Sequence, residues 1–268
     1  MDPILLPLIA LAGASAGFGA VFLVARRIAN FGIVDIAWAA GFAPVAALYC
    51  LCAGGGGERR ALVAAMAILW SARLAWHLGR RVIGHHPVED ARYVQLRRDW
   101  SGNLGVRMFW FFQCQGLLLV LLSTPFFLAA RDPRPGVGIP ELAGAALWLV
   151  ALLGEAAADS QLAAFKRNPA NRGKICETGL WGLSRHPNYF FEWLVWVAFA
   201  LFALPSPCGW AALGCPLLML LLLTRLTGIA YTEEQLLRSK GAPYREYQRR
   251  TSAFVPWPRR GAPPSSQP

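Results

Sequence analysis

Residues 4–25 form the apolar run ILLPLIALAGASAGFGAVFLVA, which carries no charged side chain. At about 1.5 Å per residue, a helix of this length crosses the roughly 30 Å hydrocarbon core of a bilayer. The preceding Met1-Asp2-Pro3 provides no basic leading segment, and no small-residue cleavage site follows. We therefore expect a first membrane span here and not a cleaved signal peptide.

Six further apolar runs of comparable length follow, near 33–53, 61–78, 108–130, 137–158, 189–206 and 208–231. Only 15% of the 268 residues are charged, whereas soluble domains carry about 25%. These features predict an all-α, multi-pass integral membrane protein with seven transmembrane helices. The third and sixth runs are short and Asp35 interrupts the second, so six or eight spans stay open.

The net charge of +11 follows the predicted topology. With seven spans, 20 of the 26 Lys and Arg residues fall on one side of the membrane, while Arg59, Arg60, Arg131 and Arg134 fall on the other. The positive-inside rule then predicts that the N-terminus lies outside and the C-terminus lies in the cytoplasm. No basic stripe stands apart from these loops, so we expect no nucleic-acid partner.

The sequence predicts a single domain over 1–257 and a disordered tail over 258–268, which is rich in Pro and Ser. Six cysteines are scattered without zinc-site spacing, and the histidines lack partners at metal-ligand spacing, so we expect no metal. Three polar segments, at 79–107, 164–188 and 232–256, can form a cap over the cytoplasmic ends of the helices.

Five ionisable residues interrupt apolar spans: Asp35, Arg73, Asp159, Glu192 and Arg225. A charge at mid-membrane costs at least about 2.5 kcal/mol, so such groups usually line a cavity, unless they lie near a helix end and reach the interface. Among apolar groups, Asp35 can stay protonated and donate a hydrogen bond to a carbonyl. Trp38 lies on the same helix face and can form one wall of a binding site for a flat ligand. The alternative for Asp35 is a first-turn carboxylate stabilised by the helix dipole.

The densest polar motif is Arg185-His186-Pro187-Asn188-Tyr189, followed by Glu192. Pro187 suits a first helical turn, where free backbone N–H groups beside the side chains of Arg185 and His186 favour an anion. Asn188 and Glu192 lie four residues apart and share one face, which suits recognition of an amide or of ribose hydroxyls. The alternative is a basic anchor at the membrane edge.

Further polar residues flank this motif along the chain. Asp159 and Lys166 lie seven apart at the end of the fifth apolar run, and Glu233 and Tyr244 follow the last run. Cations mixed with carboxylates and amides suit a large polar anion, such as a nucleotide with several phosphates, better than an ion path.

These motifs resemble a known membrane superfamily. The Arg185–Tyr189 motif with Glu192, Glu233-Glu234, Tyr244 and Tyr247, and the closing Phe254-Val255-Pro256 are similar to the C-terminal half of steroid 5α-reductases, sterol reductases and isoprenylcysteine carboxyl methyltransferases. The N-terminal stretch 30–38 and the element 89–93 resemble the bacterial branch near the steroid 5α-reductases, the DUF1295 proteins. The resemblance covers nearly the whole chain.

The resemblance implies a seven-span fold that holds NADPH beneath the cytoplasmic loops. It also implies cofactor contacts, and five residues match the family's cofactor-contacting positions: Asp159, Lys166, Asn188, Glu192 and Arg225. Further candidate cofactor residues are the phosphate or loop contacts Arg172, Arg185 and His186, and Glu233 and Tyr244 of the tail motif. Asp35 takes the place of a substrate-side acid, which is a Glu in the animal enzymes. In the family a Tyr on the third span accompanies this acid, but Trp70 stands there in this chain and has no hydroxyl. Tyr189, Tyr93 or a water are the candidates to replace it.

The implied reaction is the NADPH-dependent reduction of the C=C bond of an apolar enone that enters from the bilayer. A 3-oxo-Δ4 steroid such as testosterone or progesterone is the family-based substrate. The expected catalytic residue is Asp35, and the expected substrate contacts are Asp35, Trp38, Trp70, Arg73 and Tyr189. Two alternatives stay open: an S-adenosylmethionine-dependent isoprenylcysteine-type methyltransferase, and a non-enzymatic protein that binds or transports lipid.

Overall fold

The computed structural model describes residues 4–226 and 228–259. Helices dominate this part of the chain, which confirms the predicted all-α class. They are α1 (Leu5–Arg27), α2 (Ile33–Cys52), α3 (Gly57–Gly84), α4 (Ala91–Asp99), α5 (Leu104–Leu122), α6 (Thr124–Arg131), α7 (Ile139–Arg167), α8 (Pro187–Ala203), α9 (Gly214–Leu221), α10 (Ile229–Lys240) and α11 (Ala242–Arg250). A π-helical turn, Leu222–Leu226, follows α9. The predicted disordered tail lies outside the described residues, apart from its first two.

Six helical segments in the described part of the chain are long and apolar enough to cross a membrane, which indicates an integral membrane protein as predicted. They are Leu5–Arg27, Ile33–Cys52, Gly57–Gly84, Ser101–Arg131, Ile139–Arg167 and Gly209–Lys240. The sixth predicted run forms α8, which has 17 residues. At about 1.5 Å per residue it reaches only about 25 Å, which is short of the roughly 30 Å core. A seventh crossing and the orientation stay predictions.

The chain divides into two compact units. The first contains the residues up to Leu142 together with Phe202–Ala212, and the second contains Ala143–Leu201 together with the residues from Leu213 onward. The predicted substrate residues Asp35, Trp38, Trp70 and Arg73 lie in the first unit. Every predicted cofactor residue lies in the second unit, as does Tyr189. The single domain over 1–257 stays a prediction.

Helices α2 and α3 form an antiparallel hairpin in the first unit. The Ser71 hydroxyl on α3 donates to the Ala39 carbonyl on α2 at 2.6 Å. The rings of Phe42 and Trp70, both fully buried, lie 5.1 Å apart. This pairing places the start of α2, with Asp35, level with the end of α3.

The other end of the hairpin is fixed by a glycine turn. The Gly55 N–H donates to the Ala130 carbonyl at 3.2 Å, and the Gly56 N–H donates to the Asp132 carbonyl at 2.8 Å. A Cβ at Gly55 would lie 2.3 Å from the Ala130 oxygen, so only glycine permits this approach. Between the two ends, Pro44 lies inside α2 and removes one backbone donor from the helix.

Four charged side chains cluster beside this turn, and we call them the Arg59 cluster: Arg59, Asp132, Arg134 and Glu141. Arg59, Asp132 and Glu141 are almost completely buried. The Arg59 Nε donates to Glu141 at 3.1 Å, a second guanidinium nitrogen lies 3.5 Å from Asp132, and the Arg134 Nε donates to Asp132 at 3.0 Å. Burial opposes ionisation of Asp132, but the hydrogen bonds from Arg134 and the charge of Arg59 outweigh it and lower its pKa to about 2. The four charged side chains of the Arg59 cluster thus form ion pairs with one another inside the first unit.

In the second unit, the chain after α11 runs back along the turn that precedes α8. Residues 251–257, here called the C-terminal strap, form an isolated parallel bridge between Ser252 and Ser184. The Arg185 N–H donates to the Ser252 carbonyl at 2.8 Å, and the Trp257 N–H donates to the Leu183 carbonyl at 2.9 Å. The Ser184 hydroxyl donates to the Phe254 carbonyl at 2.8 Å. The strap therefore fixes the backbone from which Arg185 and His186 project.

Candidate functional site

The first unit contains a polar cluster around Asp35, at the start of α2. The Tyr93 hydroxyl donates to Oδ1 of Asp35 at 2.6 Å, and an Arg92 guanidinium nitrogen donates to Oδ2 at 2.6 Å. Arg81, near the end of α3, reaches Oδ2 at 3.4 Å. We call these four side chains the Asp35 cluster. The Asp35 side chain is 19% exposed and Tyr93 is buried, so the carboxylate lies at the boundary between surface and core.

Helix α4 delivers two members of this cluster. Asp90 is its N-cap, because its carboxylate accepts from the Arg92 backbone N–H at 3.0 Å. The Arg92 Nε also donates to Asp90 at 3.2 Å. The first turn of α4 thus starts at a defined residue, which places both Arg92 and Tyr93 over Asp35.

A second set of contacts holds the same segment on the turn between α1 and α2. The Glu89 carboxylate accepts from the Phe31 backbone N–H at 2.6 Å and pairs with Arg97 at 2.6 Å. The Arg97 guanidinium lies 4.3 Å from the centre of the Phe31 ring and also donates to the Ala29 carbonyl at 3.0 Å. Two independent anchors therefore keep α4 beside the start of α2.

The electrostatics of α4 favour a protonated Tyr93 and a charged Arg92. Burial, reinforced by the negative charge of Asp35, raises the pKa of Tyr93 well above its usual value. Burial by itself disfavours the charged Arg92, but the charge of Asp35 outweighs it, so the pKa of Arg92 is raised. Likewise, burial opposes ionisation of Asp90, but the charge and hydrogen bonds of Arg92 outweigh it and lower its pKa.

The geometry around Asp35 differs from the predicted neutral acid that donates a hydrogen bond. Both of its oxygens accept, one from a phenol and the other from guanidinium groups. The reason is the segment 81–93, whose cationic side chains fold over a position that the linear sequence shows only among apolar neighbours. In this cluster the hydroxyl donor is Tyr93, one of the residues considered as a replacement for the missing third-span Tyr.

The other predicted substrate residues of the first unit lie deeper along the hairpin. Trp38 is one helical turn beyond Asp35, and its ring packs edge-on against Phe42, with 4.9 Å between ring centres. Trp70 is fully buried, and Arg73 lies half-buried on α3, one turn after it. Tyr189, in the second unit, stacks on His186 at 5.5 Å.

The second unit has its own polar centre at Glu233 on α10. Its Oε1 atom accepts from the Arg185 Nε at 2.6 Å and lies 3.2 Å from the His186 Nε2. Its Oε2 atom accepts from Gln248 at 3.0 Å. Tyr244 is buried, and burial together with the charge of Glu233 raises its pKa. The structure thus brings together four predicted cofactor residues, Arg185, His186, Glu233 and Tyr244.

Arg185 is also bound to the chain that follows α11. Its guanidinium donates to the carbonyls of Gln248 and Thr251, the first at 3.1 Å. A cavity of about 440 Å³ opens beside it, and Gln248, Arg250 and Trp257 are among its lining residues. These contacts show that Arg185 holds the chain after α11 in place, which is a structural role in addition to its predicted role as a cofactor contact.

A second predicted group lies between α7 and α8. The Asn188 amide donates to Asp159 at 3.4 Å, and Glu192, one turn further along α8, accepts from Trp196 at 3.1 Å. Asp159 and Glu192 are both buried. The two helices pack closely, since a Cβ at Gly154 would lie 2.4 Å from the Phe191 ring. The remaining predicted cofactor residues, Lys166, Arg172 and Arg225, are exposed.

Sequence reasoning missed several members of these clusters. Arg81 contributed only to the charge count. Arg92 and Gln248 belonged to motifs that carry the resemblance but were given no role in a site. The available signal was the element 89–93, in which Asp90 precedes Arg92 at N-cap spacing. That signal predicts where α4 starts but does not identify Asp35 as its partner.

Comparison with known proteins gives two matches. Over residues 21–251, the chain matches the family described as "Protein of unknown function (DUF1295)". An uncharacterized protein of the fission yeast Schizosaccharomyces pombe is 29% identical over 225 residues, which are 74% of this chain and 64% of that protein. The chain therefore spans less than two thirds of this relative's length. No solved structure matches the chain.

Proposed function

The chain belongs to the DUF1295 family, and from this membership and the Asp35 cluster we propose that it is an NADPH-dependent membrane reductase of the C=C bond of an apolar enone. A 3-oxo-Δ4 steroid is the substrate class, because the family is linked to steroid 5α-reductase-like proteins. The observation that carries the proposal is the 2.6 Å hydrogen bond from Tyr93 to Asp35 at the start of an apolar helix.

This cluster suits polarisation of a carbonyl oxygen. The raised pKa of Tyr93 keeps its hydroxyl protonated at neutral pH, and a hydroxyl hydrogen can rotate from one acceptor to another. In our proposal the hydroxyl turns from Asp35 to the enone oxygen, while Arg92 continues to neutralise the carboxylate. The hydrogen bond draws electron density from the C=C bond, so the β-carbon becomes electrophilic. A fixed donor in a site that excludes water stabilises the charge that develops on the oxygen.

The second unit offers residues that fit a dinucleotide. The pair of Asn188 and Asp159 presents an amide beside a carboxylate, which suits recognition of a carboxamide or of ribose hydroxyls. Lys166, Arg172 and Arg225 are exposed cations that suit phosphates. When bound, NADPH supplies the hydride for the reduction, and a proton from solvent completes the product. In our proposal Arg185 holds the turn before α8, because its donors already bind Glu233 and backbone carbonyls.

The proposal includes an orientation. We propose that the C-terminus and the nucleotide residues face the cytoplasm of a bacterial-type inner membrane, and the excess of Lys and Arg on one side supports this orientation. The apolar substrate then enters from the bilayer. This orientation is tested by labelling single-cysteine variants of a cysteine-free chain from each side of the membrane.

The decisive experiment measures NADPH oxidation by the purified protein in detergent with testosterone or progesterone. We expect steroid-dependent loss of reduced-nicotinamide absorbance and a product reduced at the C=C bond. The same preparation is heated with NADPH or with S-adenosylmethionine. A rise in the unfolding temperature with S-adenosylmethionine alone would identify the methyltransferase, and no rise with either would favour the non-enzymatic alternative.

A further inference from the structure

The indole of Trp38 carries a buried donor. Its Nε1 atom has almost no exposed surface and hydrogen-bonds to no acceptor in the described part of the chain. A buried tryptophan N–H normally finds a partner, because an unsatisfied donor costs about 1–3 kcal/mol. This N–H lies one helical turn beyond Asp35, on the same face of α2.

The surroundings of Trp38 hold the ring in place. Its edge-on contact with Phe42 has an interplanar angle of 89°, and Phe42 in turn packs against Trp70. The next residue, Ala39, accepts the Ser71 hydroxyl through its carbonyl, so the backbone here is fixed against α3. These contacts pack the indole ring against the hairpin of α2 and α3.

We propose that the Trp38 N–H donates a hydrogen bond to an oxygen of the bound apolar substrate. This inference rests on the proposed function and makes Trp38 the second donor to the enone carbonyl, beside Tyr93. An indole nitrogen only donates, so the ligand group must be an acceptor, and the apolar surroundings favour a neutral oxygen. Trp38 would thereby select substrates that carry an acceptor oxygen beside its N–H. This role goes beyond the apolar wall that the sequence analysis predicts for Trp38.

The test uses the full-length protein in detergent with two probes, testosterone and its analogue that lacks the 3-oxo group. Trp38→Phe keeps an aromatic ring and removes the N–H. We expect the variant to bind testosterone on the order of tenfold more weakly, as for one lost hydrogen bond to a neutral acceptor. Its affinity for the 3-deoxo analogue should stay within about twofold of the wild type, by the same reasoning. Trp76→Phe, at an exposed tryptophan of α3, is the matched control and should change neither affinity.

The outcomes separate this inference from the proposed function. If Trp38→Phe weakens both ligands equally, or neither, the donor role is wrong while steroid binding stands. If the wild type binds neither ligand, both proposals fail.

Discussion

Tyr93 and Asp35 are 58 positions apart in the chain, yet the hydroxyl of the first lies 2.6 Å from the carboxylate of the second. The contact joins a short polar helix to the start of an apolar one. In the proposed reductase it supplies both the hydrogen-bond donor and the charge that holds this donor in place.

Tyr93→Phe removes the hydroxyl and keeps the ring that packs near Phe111. We expect kcat for enone reduction to fall roughly 100-fold, the scale for loss of one preorganised donor. NADPH affinity, measured by thermal shift, should not change. Tyr231→Phe, the same substitution on α10, serves as the control, and reduction at the wild-type rate by Tyr93→Phe would remove Tyr93 from the mechanism.

Asp35→Asn removes the negative charge that Arg92 and Arg81 face. Because the cations then lose their partner, we expect the free energy of unfolding to fall by about 1.5–3 kcal/mol, the range for hydrogen bonds to charged groups. Turnover should also fall, with NADPH binding retained. Urea unfolding in detergent measures the first effect. Asp99→Asn, at the exposed end of α4, is the control, and equal stability of both variants would contradict the pairing.

Arg59→Met replaces a buried cation with a shorter, unbranched apolar side chain. Asp132 and Glu141 then share only Arg134, so the protein should lose about 3 kcal/mol of stability, as when a buried ion pair loses one partner. Activity per folded molecule should persist, because the Arg59 cluster lies at the opposite end of the α2–α3 hairpin from Asp35. Arg131→Met, at an exposed arginine, is the comparison. A fall in kcat with unchanged stability would contradict this assignment.

The pH dependence of stability should report on Asp132. Its pKa in the folded protein is about 2, below the value of 3.8 expected for an exposed Asp. The unfolded chain therefore takes up the proton first as the pH falls, and the stabilisation present above pH 4 is lost between about pH 4 and 2. Thermal unfolding across this range should show a steeper decline for the wild type than for Asp132→Asn. Parallel curves would show that other carboxylates dominate.

Glu233 and Glu234 provide a matched pair of neighbours on α10. Glu233 binds Arg185, His186 and Gln248, whereas the exposed Glu234 pairs only with Arg238 among the ion pairs of the described residues. Glu233→Gln should lower stability by about 1.5–3 kcal/mol and weaken NADPH binding, because the turn before α8 loses its anchor. Glu234→Gln should stay within about 0.5 kcal/mol of the wild type. Thermal shift with and without NADPH measures both effects, and identical behaviour of the two variants would refute the anchoring role.

Local patterns predicted much of this architecture. Runs of apolar residues gave the long helices, since hydrocarbon thickness fixes their minimum length. The four-residue spacing of Asn188 and Glu192 correctly placed both on one face of α8. The partners of Asp35 could not be predicted, because nothing near residue 35 in the sequence shows that Arg92 and Tyr93 fold over it. Arg59 and Arg134 were expected on the same side of the membrane, but a charge count does not reveal that Arg59 is buried. Pairing over long sequence distances depends on how α4 and the loop after α6 return to the hairpin.

Helix α2 is held at both extremities, by α4 and Glu89 near its first turn and by the glycine turn after its last. Pro44 lies between these supports and weakens the backbone ladder there. A helix that is fixed at both ends and weakened in its middle can bend near the weak point, but it cannot move outward as a rigid body. In the proposed reductase, the binding of a rigid, flat substrate beside Trp38 should therefore be accommodated by sideways flexing of α2 near Pro44, with both ends of the helix staying in place.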